Sequence, residues 1–294
     1  MIYEHIPKGL CDMHLHLAPS LIPRDCDIAE MAAMAKDAGY RAIVAKDHHA
    51  LTAPLCGQLK KHLFADADID IFGSFCMNNA TGGLNPYTVE AAICWGIKVL
   101  WLPTCSAARH IDRLGTGGKK GFPGTNVTIH EEPLVLTKPD GTLKDEVIRI
   151  IELAAQAPSV ILATGHASAE EVNAVVEKAA KLGVKHILVD HPTFCVEASL
   201  EQMRHWVELG AVLEHVGAIC DASTACYQPP ADIAEVIRAT GVEHTLLSSD
   251  YGQLKLGNPI AGMNAFLGSL KEYGFTNDEI RTMCCDNPGK LLYN

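Results

Sequence analysis

Aromatic residues are scarce, at 6% of 294 positions, while Ala, Val, Ile and Leu are plentiful. Packing therefore has to come from aliphatic side chains, which suits buried strands covered by helices. There is no C-x-x-C pair. The 11 cysteines are odd in number and irregularly spaced, Cys284 and Cys285 being adjacent. Disulfide frameworks belong to small secreted chains, so reduced, buried thiols in a cytoplasmic protein are expected instead. Basic stripes are also missing. The formal net charge is −11, and Lys119-Lys120 is the only basic pair inside a glycine-rich stretch. That excludes a nucleic-acid partner and favours solubility. The opening Met1-Ile2-Tyr3-Glu4-His5 lacks the charged and apolar regions of a signal peptide. No apolar run approaches the ~20 residues of a membrane span, so no membrane partner is expected.

What is present is an alternation of short apolar runs and helical patterns. Eight strands are predicted: Leu10–Leu17, Arg41–Lys46, Ile69–Phe75, Ile97–Leu102, Val160–Thr164, His186–Asp190, Ala211–Val216 and His244–Ser249. Most are apolar throughout, as strands buried on both faces should be. Capping boxes at Ser168/Glu171, Ser199/Gln202 and Thr276/Glu279 mark helix starts. Asn85-Pro86 and Asn287-Pro288 place a cap before a first-turn proline. Gly39, Gly96, Gly183, Gly210 and Gly241 mark helix ends. Units of about 25–33 residues, eight times over, predict an α/β fold: a (β/α)8 TIM barrel forming one domain over residues 1–294. The interval from Cys105 to about Thr142, between strands four and five, is too long for one helix. It is expected to be an insertion at the C-terminal mouth, with a flexible loop over Gly115–Gly121 and a small hairpin from Val127–Ile129 and Leu134–Leu136. A Walker-type phosphate loop is excluded by its spacing.

The polar residues fall at strand ends. Strand one carries Asp12-Met13-His14-Leu15-His16. Alternation puts His14 and His16 on one side, about 7 Å apart along the strand, with Asp12 beside them. Strand two ends Lys46-Asp47-His48-His49, strand five Thr164-Gly165-His166, strand six Asp190-His191, strand seven Glu214-His215 and strand eight Ser249-Asp250. C-terminal strand ends converge at a barrel mouth. Histidines at the same end of strands one, five and six, with an aspartate on strand eight, point jointly to a divalent metal site. Zn2+ suits the donors best, with Mn2+, Fe2+ or Ni2+ as alternatives, one or two ions in number. A zinc site that keeps an open position brings the pKa of its water to about 7. Lys98 lies too deep to join the site, as a solvated lysine at the strand's base. His110 and His130, in the insertion, read as solvated loop histidines, and no cysteine falls convincingly among the ligands.

On these residues the chain resembles the amidohydrolase superfamily. Asp12-Met13-His14-Leu15-His16, His166, His191 and Asp250 stand in the order that family places its ligands on strands one, five, six and eight. Asn287-Pro288-Gly289-Lys290-Leu291 is similar to its closing helix. Ala45-Lys46-Asp47-His48-His49, Trp101-Leu102-Pro103-Thr104 and Thr164-Gly165-His166 resemble a little-characterised branch. The resemblance implies that His14, His16 and Asp250 hold the more buried metal. His166 and His191 would hold a second one, or His191 would touch substrate. Asp250 would carry the proton from water to leaving group. Relatives bridge two metals through a carboxylated Lys or Glu on strand four, which is not evident here. Lys46 becomes the candidate bridge, carboxylated, or else a charge on the substrate. His49, His48 and His215 are candidate substrate contacts, His49 ahead of His48.

The expected activity is metal-dependent hydrolysis of a small-molecule amide, cyclic imide or related C–N bond. Alternatives of the same superfamily are a one-metal decarboxylase and a lactone or phosphoester hydrolase. A barrel that binds metal without catalysis has no use for the proton carrier Asp250. A homo-oligomer is left open.

Overall fold

The computed structural model describes residues 3–115, 131–224 and 226–294. Its eight strands are β1 Cys11–His16, β2 Ala42–Lys46, β3 Asp70–Cys76, β4 Val99–Trp101, β5 Ile161–Ala163, β6 His186–Asp190, β7 Ala211–Val216 and β8 Thr245–Ser248. All pair in parallel in the order β1 to β8. The sheet closes on itself where Leu15 bridges Tyr251 and Ser249 N donates to Asp12 Oδ1 at 3.0 Å. This is the expected barrel, each strand landing within two residues of its predicted bounds.

The helices are α1 Ile28–Asp37, α2 Ala53–His62, α3 Pro86–Cys94, α4 Ala108–Leu114, α5 Asp145–Gln156, α6 Ala169–Leu182, α7 Leu200–Glu208, α8 Pro230–Thr240, α9 Pro259–Glu272, α10 Asn277–Arg281 and α11 Asn287–Tyr293. The three predicted capping boxes form at α6, α7 and α10, and a fourth, Asp27/Glu30, starts α1. Asn85 caps α3 as expected. Asn287 does not cap α11, because a π turn over Thr282–Asp286 runs straight into that helix. Its side chain instead donates to the carbonyls of Val242 (3.0 Å) and Thr245 (2.7 Å), just ahead of and at the start of β8. That tie seats Leu291 and Leu292 against Cys11, Ala42, Val44 and Leu246 in one interior cluster. Two larger clusters lie between the strands and the surrounding helices.

The insertion differs from expectation. Its first part folds into α4. Leu134 pairs with Ala107 in parallel, and Thr137 bridges Leu143 in antiparallel fashion across Pro139-Asp140-Gly141, while the other arm of the predicted hairpin lies outside the described residues. Val127–Ile129, His130, Lys119, Lys120 and most of the predicted Gly115–Gly121 loop lie outside the described residues. Lys98 is buried at the foot of β4, 8% exposed, rather than solvated. No helix among the described residues is long and apolar enough to cross a membrane.

Candidate metal centre

The site begins with an irregularity in β1. Asp12 pairs with Ile43 while Leu15 pairs with Ala45, so β1 holds one residue more than β2 over this stretch. Strict alternation fails there. Met13 belongs to the interior cluster, and His14 also reaches the interior, its ring 4.9 Å from that of Trp101. Asp12 does not join the two histidines, contrary to expectation. Its carboxylate accepts from Ser249 N and, at 3.3 Å, from His14 N, which ties the end of β8 to β1.

That tie brings the carboxylate of Asp250 to both imidazoles. Asp250 Oδ1 lies 3.2 Å from His14 Nε2 and 3.0 Å from His16 Nε2. Ligand atoms of these three residues all sit within 4.8 Å of one another. Asp250 adopts a left-handed φ of 56°, His191 one of 52°. Such backbone in non-glycine residues has to be held by its surroundings and is frequent at functional sites. His191 Nε2 is 3.8 Å from Asp250 Oδ2, and its ring is 5.2 Å from that of His14. His166, Asp190 and His191 form a second potential ligand group. Gly165 sets this corner: with φ 68°, a Cβ there would lie 2.4 Å from the carbonyl oxygens of Leu102 and Pro103.

Burial keeps the imidazoles neutral, the state that ligates metal. It pushes His14 and His191 down to about 3, and His16, His48 and His166 well below the usual histidine range. The same burial raises Asp12, Asp190 and Glu214 to about 7. His14 Nδ1 lies 3.0 Å from Glu214 Oε2, the carboxylate–imidazole pairing that orients a metal-ligating histidine. Several buried polar atoms have no hydrogen-bond partner among the described residues: His16 Nδ1, His166 Nε2, His191 Nδ1, Asp190 Oδ2 and Glu214 Oε1. Unpaired imidazole and carboxylate donors, converging and mostly neutral, fit a divalent cation of zinc type.

The structure brings together His14, His16, His166, His191, Asp250 and Lys46. Lys46 is fully buried, its Nζ 2.9 Å from His14 Nε2 and 3.9 Å over the Trp101 ring. Of the two histidines after β2, His48 is the one in the cluster. Its ring is 4.7 Å from that of His16, and its Nδ1 is 2.8 Å from Thr104 Oγ1. Thr104 is fixed by Asn78, which donates to Thr104 Oγ1 and the His48 carbonyl while accepting from Thr104 N and Ser106 N. His49 lies edge-on to His48, with Nδ1 3.9 Å from Asp47 Oδ1. On β7, Glu214 faces His14. His215 is buried on the next position, paired in register with Leu247 of an outer core cluster, so it does not join the ligands.

Three participants were not expected. Glu214 could have been found from strand parity, as the acid sharing a face with Val212. His110 is not a solvated loop residue: it sits on α4 with Nδ1 2.7 Å from His166 Nδ1, the rings stacked at 4.8 Å. A cysteine does fall among the donors, since Cys195 groups with His110 and His166. Nothing in strand-end reading reaches a helix inside an insertion or a loop after β6.

Solved structures share this fold. The phosphotriesterase homology protein of Escherichia coli, complexed with phosphate in its active site, is 16% identical with a TM-score of 0.56, covering 97% of this chain and 99% of its own. The organophosphorus hydrolase of Deinococcus radiodurans is 13% identical with a TM-score of 0.60, covering 98% and 93%. A dihydroorotase is 12% identical with a TM-score of 0.55, covering 97% and 69%. No curated protein matches the chain. One family model does, over residues 9–214, which span β1 to the Glu214 position of β7, and the chain therefore belongs to DUF6282, a family of unknown function.

Proposed function

We propose that the chain is a metal-dependent hydrolase acting on a small-molecule amide, cyclic imide or related C–N bond. The observation that carries this reading is the convergence of His14 Nε2, His16 Nε2 and the Asp250 carboxylate at the barrel mouth. His166 and His191 stand beside them. Fold likeness to a dihydroorotase and to organophosphate hydrolases supports the reaction class.

A bound divalent ion would lower the pKa of its water to about 7 and polarise the oxygen of the scissile group. The chain's own residues do the rest. Asp250, with 14% of its side chain exposed against 0% and 3% for His14 and His16, would accept the proton of water and return it to the leaving nitrogen, a role its greater exposure supports. Glu214 holds the His14 ring at Nδ1. Asp12 holds the end of β8 in place through Ser249 N. Lys46 supports two roles, a carboxylated bridge or a charge on the substrate, and its seat over the Trp101 face favours the charge.

A one-metal decarboxylase is the second reading, because β4 brings Trp101 rather than a carboxylate or lysine towards the mouth. Metal content of the purified chain, together with turnover of cyclic imides, amides, lactones and phosphotriesters, tests the proposal. Metal-dependent turnover of a C–N substrate supports it. Decarboxylation without hydrolysis, or failure to bind zinc, manganese or nickel, overturns it.

A further inference from the structure

His110, His166 and Cys195 come from three separate places: α4, the end of β5 and the loop after β6. Their ligand atoms nevertheless all lie within 4.8 Å of one another. His110 and His166 meet Nδ1 to Nδ1 at 2.7 Å, and Cys195 Sγ is 3.9 Å from the His166 carbonyl oxygen. His166 and Cys195 are buried and His110 is partly so. His166 also keeps its Nε2 buried with no hydrogen-bond partner among the described residues. Two imidazoles and a thiol in this spacing are the donors of a thiophilic cation, with bond lengths of about 2.0–2.3 Å for zinc.

The scaffold holds these donors against one another. Arg109, next to His110, donates through Nε to the Cys195 carbonyl at 3.1 Å. Arg109 and Arg113 both pair with Glu197, which adopts a left-handed φ of 54° two residues after Cys195. The insertion is thus clamped to the β6 loop where the donors meet. A buried core thiol and a hydrogen-bonded histidine pair would need no such clamp between them.

We propose that His110, His166 and Cys195 bind a thiophilic divalent cation, zinc or iron(II) in character, as a second metal position beside the His14–His16–Asp250 centre. This rests on the metal-centre reading above and adds a ligand set drawn from the insertion. It also accounts for a second ion without a bridge from β4.

The test is cobalt(II) titration of the whole chelator-stripped chain, read by near-ultraviolet absorption and metal content. Two cobalt ions per chain and a thiolate-to-cobalt charge-transfer band are expected. Cys195→Ser and His110→Ala should each lose one ion, and Cys195→Ser the whole band, while Cys94→Ser, at an exposed thiol, keeps both. Absence of the band at saturating cobalt, or its survival in Cys195→Ser, overturns the proposal, and neither result depends on a variant's activity. One ion without the band, alongside hydrolysis, sinks this site and leaves the proposed function standing. The band without turnover of any tested substrate does the reverse.

Discussion

The backbone N–H of Asp250 donates to the carbonyl oxygen of His14 at 2.8 Å, and that bond joins the carboxylate to the imidazoles it faces. Two positions later His16 N donates to Tyr251 O at 2.9 Å. Ligand geometry is therefore set by main chain at the seam of the barrel. Side-chain chemistry at position 250 can be changed without moving it. Asp250→Asn should keep its metal and lose turnover by about 10²–10⁴-fold, the usual worth of a positioned proton carrier. Metal analysis and kinetics on the same preparation check this. An Asn variant with full turnover would exclude the proton-carrying role.

Gly252 continues the same seam with φ 113°, and a Cβ there would sit 1.8 Å from the His16 carbonyl oxygen. Gly252→Ala should cost about 3 kcal/mol or more through strain and displaced backbone. Gly57, inside α2 with nothing within 4 Å of a built Cβ, should behave oppositely. Gly57→Ala should stabilise by about 0.5–1 kcal/mol from helix propensity. Urea midpoints of the two variants decide it by sign.

Glu214→Gln leaves the shape of the His14 contact and removes its charge. Metal affinity should fall about 10–100-fold with the fold intact, as for other carboxylates behind ligating histidines. Competition with a chromophoric chelator gives the number. Unchanged affinity would show that Glu214 does not tune the ligand.

Acid should destabilise the metal-free chain. His14 and His191 are held down to about 3 and His215 to about 4, and His16, His48 and His166 are lowered too. Unfolding lets them take up protons near the ordinary histidine value of 6.5, so their stabilising contribution is full above it and is lost as pH falls. Asp12, Asp190 and Glu214, raised to about 7, act oppositely, losing stability as pH climbs from about 4 to 7. Imidazoles outnumber carboxyls here, so the thermal midpoint should drop as pH falls from 6.5 towards 4. A midpoint that rises over this range would refute the balance.

Much of the barrel is legible because buried parallel strands are apolar throughout and their helices carry explicit caps. His186–Asp190 and Ala211–Val216 match their predicted bounds in full. The polar ends of β1, β5, β6 and β8 stand out against that background. Local departures were illegible for physical reasons. Asp12 left its expected face because one extra residue in β1 shifts the register, and no residue type announces a bulge. His48 takes the inward place expected of His49 because Asn78, on another loop, fixes Thr104 beside it. His110 and Cys195 met only through tertiary clamping of α4, whose own sequence carries no strand-end signal.

The pairing of Asp12 with Ser249 spans 237 positions of sequence. Long-range closures of this kind form late and slowly. A nascent chain on the ribosome that has made seven strands thus has an open barrel and a half-built centre, with Glu214 behind His14 but no Asp250 facing His14 and His16. Cotranslational capture of metal through the complete His14–His16–Asp250 set cannot precede synthesis of the eighth strand. For the His14–His16–Asp250 centre, assembly of the full ligand set and final closure of the barrel coincide.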